Sequence, residues 1–192
     1  MLQARGWISA LLLLTTMLAN RPAVAAANHP IRPPIVCPNR LEELMPLLLR
    51  DLPSYANRIS QQAYQLDQSP DVPGYVVLAG EPNYDPLTLN PGEKLPAAES
   101  DTSQVFFTTL ERQYVDGELI RLQHHHWLFI TPTASRGWRL VLLYSAIGNY
   151  PAQQPVVSQP SSPPQDVSQG VIAQAIRQWL RDCEAGSVAG QK

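Results

Sequence analysis

Three consecutive histidines, His124, His125 and His126, are the residues whose type and spacing most invite chemistry. On a β-strand His124 and His126 project from one face about 6.5 to 7 Å apart. Two imidazoles at that spacing can share a metal ion, and catalytic zinc usually takes three protein ligands. A third ligand is hard to supply. The remaining histidine, His29, lies far away in the N-terminal stretch, so Glu111 or Glu118 would have to reach across. Ordinary cross-strand packing is the competing reading: sheet histidines satisfied by their neighbours. A second candidate is aromatic. Trp127, Phe129, Trp138 and Tyr144 could line a ligand groove on one side of a sheet, although aromatics at strand positions more often form core.

Enzymatic signatures are missing. The chain has no Gly-x-Ser-x-Gly elbow, no His-Glu-x-x-His, no glycine-rich phosphate loop and no Cys-x-x-Cys. No catalytic residue and no cofactor is therefore assigned, and the reading leans away from an enzyme.

The histidines need strands to hold them. Residues 104–115, 118–131 and 138–146 read as three long strands, and Tyr75-Val76-Val77-Leu78 between two glycines as a short buried one. Val115-Asp116-Gly117 marks the first hairpin and Ser135-Arg136-Gly137 the second. A two-residue Asp-Gly turn would set Arg112 opposite Arg121, an unfavourable like-charge pair. A three-residue loop ending in a left-handed glycine sets Glu111 opposite Arg121 as a surface ion pair, and Leu110 opposite Leu122. The second register is the expectation. It places His124 against Thr108 and His126 against Phe106.

Helices flank the sheet. Asn39 is a good N-cap for a stripe of Leu41, Leu44, Met45, Leu48, Leu49 and Leu52. Pro46 should kink or restart that helix, because it lacks a donor and clashes with the preceding turn. A second start is expected at Asp51-Leu52-Pro53, with Ala56, Ile59, Ala63 and Leu66 on its apolar face. Glu42 and Glu43 read as a solvated helix face. A final helix from about Ser168 carries Ile172, Ala175, Ile176, Trp179, Leu180 and Cys183 on one side. Two proline-rich stretches join these elements: a long loop over 81–101 and an extended connector over 150–165. Both are places to look for a partner surface. The tail after Gly186 reads as small, polar and frayed.

The first 27 residues read as a cleavable signal peptide. Arg5 precedes an apolar run from Trp7 to Ala19, and Ala-x-Ala patterns end at Ala25 and Ala27. The run is 13 residues long, too short for the roughly 20 that a spanning helix needs. Pro34-Ile35-Val36 before Cys37 is unlike a lipoprotein signal. Loss of Arg5 and Arg21 moves the formal charge from -2 to -4, which offers no basic footprint for nucleic acid. A soluble domain over 28–185 is expected, with no membrane span after cleavage. Two cysteines, Cys37 and Cys183, remain in that exported chain and invite pairing. The loop they close would give about 5 kcal/mol at most.

Val105-Phe106-Phe107-Thr108-Thr109-Leu110-Glu111-Arg112-Gln113-Tyr114, His126-Trp127-Leu128-Phe129 and Gly137-Trp138-Arg139-Leu140 carry a resemblance. So do Leu52-Pro53-Ser54-Tyr55-Ala56-Asn57-Arg58 and Gly170-Val171-Ile172-Ala173-Gln174-Ala175-Ile176. Together they resemble a family of uncharacterised exported proteins of cyanobacteria, over most of the mature chain. The resemblance implies a periplasmic, outer-envelope or thylakoid-lumen setting and no particular activity. Gly137-Trp138-Arg139-Leu140-Val141 alone is also similar to hairpin strands of α+β domains of the nuclear-transport-factor type. The expected architecture is α+β: N-terminal helices, a four-stranded antiparallel sheet, and a C-terminal helix tethered by Cys37–Cys183. The expected function is a non-enzymatic binding or assembly factor with a protein partner in the envelope or lumen. The alternative is a small-molecule or metal-binding domain using the His124/His126 face.

Overall fold

Apolar residues recurring at helical spacing from Leu41 onward form a single helix in the computed structural model, which describes residues 33–67, 74–85, 101–115, 118–134, 137–148 and 162–189. This helix, α1 (Leu41–Asp67), contains both Pro46 and Pro53. Neither interrupts it, contrary to the expected restart at Asp51. The donor missing at Pro46 leaves the Glu42 carbonyl without its helical partner. Both residues are on the exposed side, where water can take that bond. The first helical bonds run to the Arg40 carbonyl, so Asn39 lies one residue outside the cap position. Leu44, Met45, Leu48, Leu49, Leu52 and Ala56 are buried. Ala63 is exposed, and the Leu66 side chain lies outside the described residues.

Among the described residues, five strands follow in a meander: β1 (Tyr75–Ala79), β2 (Ser103–Val115), β3 (Glu118–Pro132), β4 (Trp138–Ile147) and β5 (Gln165–Asp166). Every neighbouring pair is antiparallel. β5 was not expected: two residues facing Tyr144 and Ser145 are too few to produce a readable pattern. α2 (Val171–Glu184) closes the chain. It starts three residues after Ser168, whose hydroxyl instead accepts the Leu143 N–H at 2.9 Å.

The first hairpin takes the register that was not expected. Val115 pairs with Glu118 and Arg112 with Arg121, and Glu111 faces Leu122. A one-residue slip exchanges the two faces of a strand, and burial decides between them. In the observed register Val105, Phe107, Leu128 and Ile130 all face the helices, and each is fully buried. The alternative would turn Trp127 and Phe129 toward α1 and α2. The two arginines are exposed, so their repulsion is screened by water and is small beside that core. Glu111 consequently forms no surface pair with Arg121.

α1 and α2 cover one face of the sheet, called the inner face below, and form the main core with it. Asp51 joins the helices, accepting the Trp179 indole N–H at 3.0 Å, while the Tyr55 hydroxyl donates to Asp182 at 2.9 Å. Cys37 and Cys183 form a disulfide with Cα atoms 5.1 Å apart. Residues 186–189, the described part of the tail expected to fray, are held in place. Gly186 turns the chain at a φ of 67°, a conformation that glycine adopts readily. Val188 is buried, its carbonyl accepts the Ile35 N–H at 3.0 Å, and Ala189 bridges Pro34. Of the long loop, residues 81–85 are described, and Asn83 exchanges two backbone bonds with Phe106. Residues 86–100, most of the connector and residues 1–27, the expected signal peptide, lie outside the described residues. No described helix is long and apolar enough to cross a membrane.

Candidate functional site

Strand parity places Thr109 and Glu111 on β2, His124 and His126 on β3, and Ser145 on β4 on the inner face. Thr109 stands opposite His124, and His126 is flanked by Phe107 and Ser145. These partners are one residue from the expected Thr108 and Phe106, again because of the hairpin register. The polar group begins where the apolar core ends.

A directed chain of hydrogen bonds links four of these residues. Thr109 donates its hydroxyl to Glu111 Oε1 at 3.0 Å. The Thr109 oxygen must then accept from His126 Nε2, 2.8 Å away. That fixes His126 as the Nε2–H tautomer, so its Nδ1 accepts the Ser145 hydroxyl at 2.5 Å. Protons therefore point one way, from Ser145 through His126 and Thr109 to the carboxylate. His124 flanks the end of the chain, with Nδ1 3.1 Å from the same Glu111 oxygen but outside hydrogen-bonding geometry.

Burial sets the charge states. It holds His126 down at about 3, and the partial opposition of the Glu111 charge does not reverse this. His126 is thus neutral at physiological pH. Burial pushes Glu111 upward, but contact with His124 and the Thr109 hydrogen bond outweigh it. Its carboxyl lies below the usual carboxylate range, and Glu111 is ionised.

Glu111, His124, His126 and Ser145 line a cleft of about 290 Å³ closed on its far side by Val167, Gly170, Val171 and Ile172 at the start of α2. Gln113 completes the polar wall. No side chain caps the first turn of α2. Its leading N–H groups consequently add donors beside the cleft. A carboxylate, a neutral hydroxyl–imidazole pair, an amide and a few apolar contacts can hold a small polar molecule. Acid–base chemistry at neutral pH is poorly served, because His126 would have to accept a proton with a value near 3. Metal binding is poorly served too. Both His126 nitrogens are engaged by hydroxyls, and among the described residues no group of three or more His, Cys, Asp or Glu is placed to hold a metal ion.

The aromatic set divides between two faces. Trp127, Phe129 and Tyr144 cluster with Phe106, Leu142 and Ala146 on the outer face, away from the helices. Trp138 packs against the main core and donates its indole N–H to the Pro38 carbonyl at 3.0 Å. The four do not form one groove. Sequence reading missed Ser145 and Thr109. Parity could have found them, since both fall on the His126 face once the two-residue turn is adopted. A further groove of about 320 Å³ lies between α1 and α2, beside Gln62, Arg177 and Arg181. No known protein family, curated protein or solved structure matches this chain.

Proposed function

We propose that this protein is a non-enzymatic binding factor working outside the cytoplasm, and that it holds a small polar ligand in the cleft between the inner sheet face and the start of α2. One observation carries the reading. An ionised carboxylate, Glu111, stands mostly buried at the wall of an accessible cleft of about 290 Å³. Burying a charge is costly unless it is well paired, and Glu111 has one hydroxyl donor and one imperfectly aligned imidazole. A ligand offering a further donor, an ammonium or a hydroxyl, improves that pairing. The disulfide is compatible with an oxidising compartment, and the N-terminal 27 residues supply the reason to place the protein there.

The test is an NMR titration of the intact protein with free amino acids, monosaccharides and dicarboxylates, read at Glu111, His124 and the amides of Val171 and Ile172. The expected result is a saturable shift with one class, abolished in Glu111→Gln while the rest of the spectrum is unchanged. Absence of any shift at these positions across the panel would sink the cleft reading.

A protein partner is the second reading, favoured by Leu78, Tyr114 and Leu119. These apolar residues are 40 to 49 % exposed on β1 and the outer end of the first hairpin, with Tyr114 directly opposite Leu119. Affinity capture from the native envelope or lumen fraction tests it. Capture that depends on these three side chains supports the reading, and capture unchanged by their replacement removes it.

A further inference from the structure

The groove between α1 and α2 shares no residue with the inner-face cleft. Its volume of about 320 Å³ stands at the lower end of small-molecule sites, which run from about 300 to 1,000 Å³. Residues three and four apart on a helix share a face, and the groove is built from one such face of each helix. α2 gives Gln174, Arg177, Gln178 and Arg181, and α1 gives Ile59, Gln62 and Ala63. The walls thus hold two guanidiniums and three amides beside a small apolar patch. Among the described residues no carboxylate lines them.

The positive charge there is unanswered. Arg177 is half-buried, and its Nη1 donates to the Ser168 carbonyl at 2.6 Å, a neutral acceptor. Burying a charge is costly unless it is well paired. Arg181 makes no ion pair and no side-chain hydrogen bond among the described residues. Asp182, the next residue, accepts the Tyr55 hydroxyl and does not line the groove. Like charges four residues apart on a helix repel each other. An anion between Arg177 and Arg181 relieves that repulsion while it forms its own bonds. Arg177 is the better prepared of the two, because the Ser168 bond holds one arm of its fork and leaves other N–H groups for a ligand. The Gln62 and Gln178 amides make no hydrogen bond to another described residue and add neutral donors.

We propose that this groove binds a phosphate monoester, with the phosphoryl group between Arg177 and Arg181 and the carbon part against Ile59 and Ala63. Charge selects the monoester. It carries about −1.5 to −2 at pH 7, which matches two guanidiniums, whereas a diester or a lone carboxylate brings a single negative charge. Geometry agrees, since a guanidinium presents paired N–H donors that fit two phosphate oxygens. A third oxygen remains for the Gln62 or Gln178 amide. The groove selects the opposite charge to the Glu111 cleft and does not depend on it.

The experiment is an NMR titration of the intact, oxidised protein with glycerol 3-phosphate, read at the Arg177 and Arg181 Nε–H and the Gln178 amide signals. A saturable shift is expected, and sodium chloride or succinate at the same ionic strength should not reproduce it. Arg181→Gln should weaken binding by roughly tenfold or more, as expected for a lost charged donor. Arg177→Lys should weaken it too, because the charge stays but the fork is lost. Arg181 is exposed, and unmoved Trp138 and Trp179 indole signals report that the variants keep the fold. Vesicles with phosphatidic acid, set against phosphatidylcholine alone, identify the source of the ester. Tighter binding to them than to glycerol 3-phosphate places the phosphate on a lipid; weaker binding makes it a free ester. Absence of a saturable shift overturns the proposal. So does binding that Arg181→Gln leaves unchanged, or succinate that binds as well as the ester.

Discussion

Thr109 takes a hydrogen bond from His126 and passes one to Glu111, so a single hydroxyl carries the polarity of the inner-face chain. Thr109→Val keeps the shape and removes both bonds. It leaves the His126 Nε2–H unpaired in a fully buried position and should cost about 1 to 3 kcal/mol, measurable by chemical denaturation. The buried histidine also imposes a pH dependence. Its folded-state value is lowered from 6.5 to about 3, so between those values the unfolded chain binds more protons and stability rises with pH. That contribution is full above pH 6.5 and is lost as pH falls toward 3, with a limiting slope of about 1.4 kcal/mol per pH unit. Glu111, held below its ordinary 4.5, acts with the same sign at the acid end of this window. Denaturation curves collected from pH 7 to pH 4 should show the decline, and His126→Gln should flatten it. A slope unchanged by that substitution would separate the pH effect from this residue. Sequence reading isolated His124 and His126 correctly as a pair sharing one face. It could not foresee that His126 would be enclosed by two hydroxyls, because that depends on strands meeting in a particular register.

Among the elements, β1 is one edge of the described sheet, and its defence comes from a helix. The Asn57 side chain of α1 accepts the Val76 N–H at 2.8 Å and donates to the Val76 carbonyl at 2.9 Å, imitating a neighbouring strand. Ser60 adds a bond to the Gly74 carbonyl at 3.2 Å. Unpaired strand edges recruit other chains. Asn57→Ala should lower stability by about 1 to 3 kcal/mol and raise the light scattering of concentrated samples relative to the parent. Arg112 and Arg121, facing each other across the first hairpin, provide a second test. Arg121→Glu converts repulsion into attraction and should stabilise the protein by about 0.5 kcal/mol, an effect that shrinks in high salt. Helices and long strands were legible because their apolar periods differ. The hairpin register was not, since the Asp-Gly turn and the arginine pair argued for opposite answers and only the buried face could decide. Two other features were equally hidden: a proline, Pro46, tolerated where the helix faces water, and a two-residue strand recognisable only beside its partner.

For the whole molecule, the disulfide and the strand-like contact of Ile35 with Val188 bring residues near the two ends of the described fold together. Arg50 strengthens the same corner by donating to the Ala189 carbonyl at 2.9 Å. Reduction should lower stability by about 2 to 5 kcal/mol, seen as an earlier midpoint in denaturant with reductant present. An identical midpoint with and without reductant would assign the corner's stability to packing alone. Cys37 and Cys183 are separated by 146 positions, which has a consequence in time. A chain delivered N-terminus first presents Cys37 to any oxidant long before its only intramolecular partner arrives. Until Cys183 emerges, every bond that Cys37 can form is with another molecule. Correct oxidation is therefore an end-of-delivery event, and the protein's yield in an oxidising compartment should depend on how long that first thiol is kept waiting.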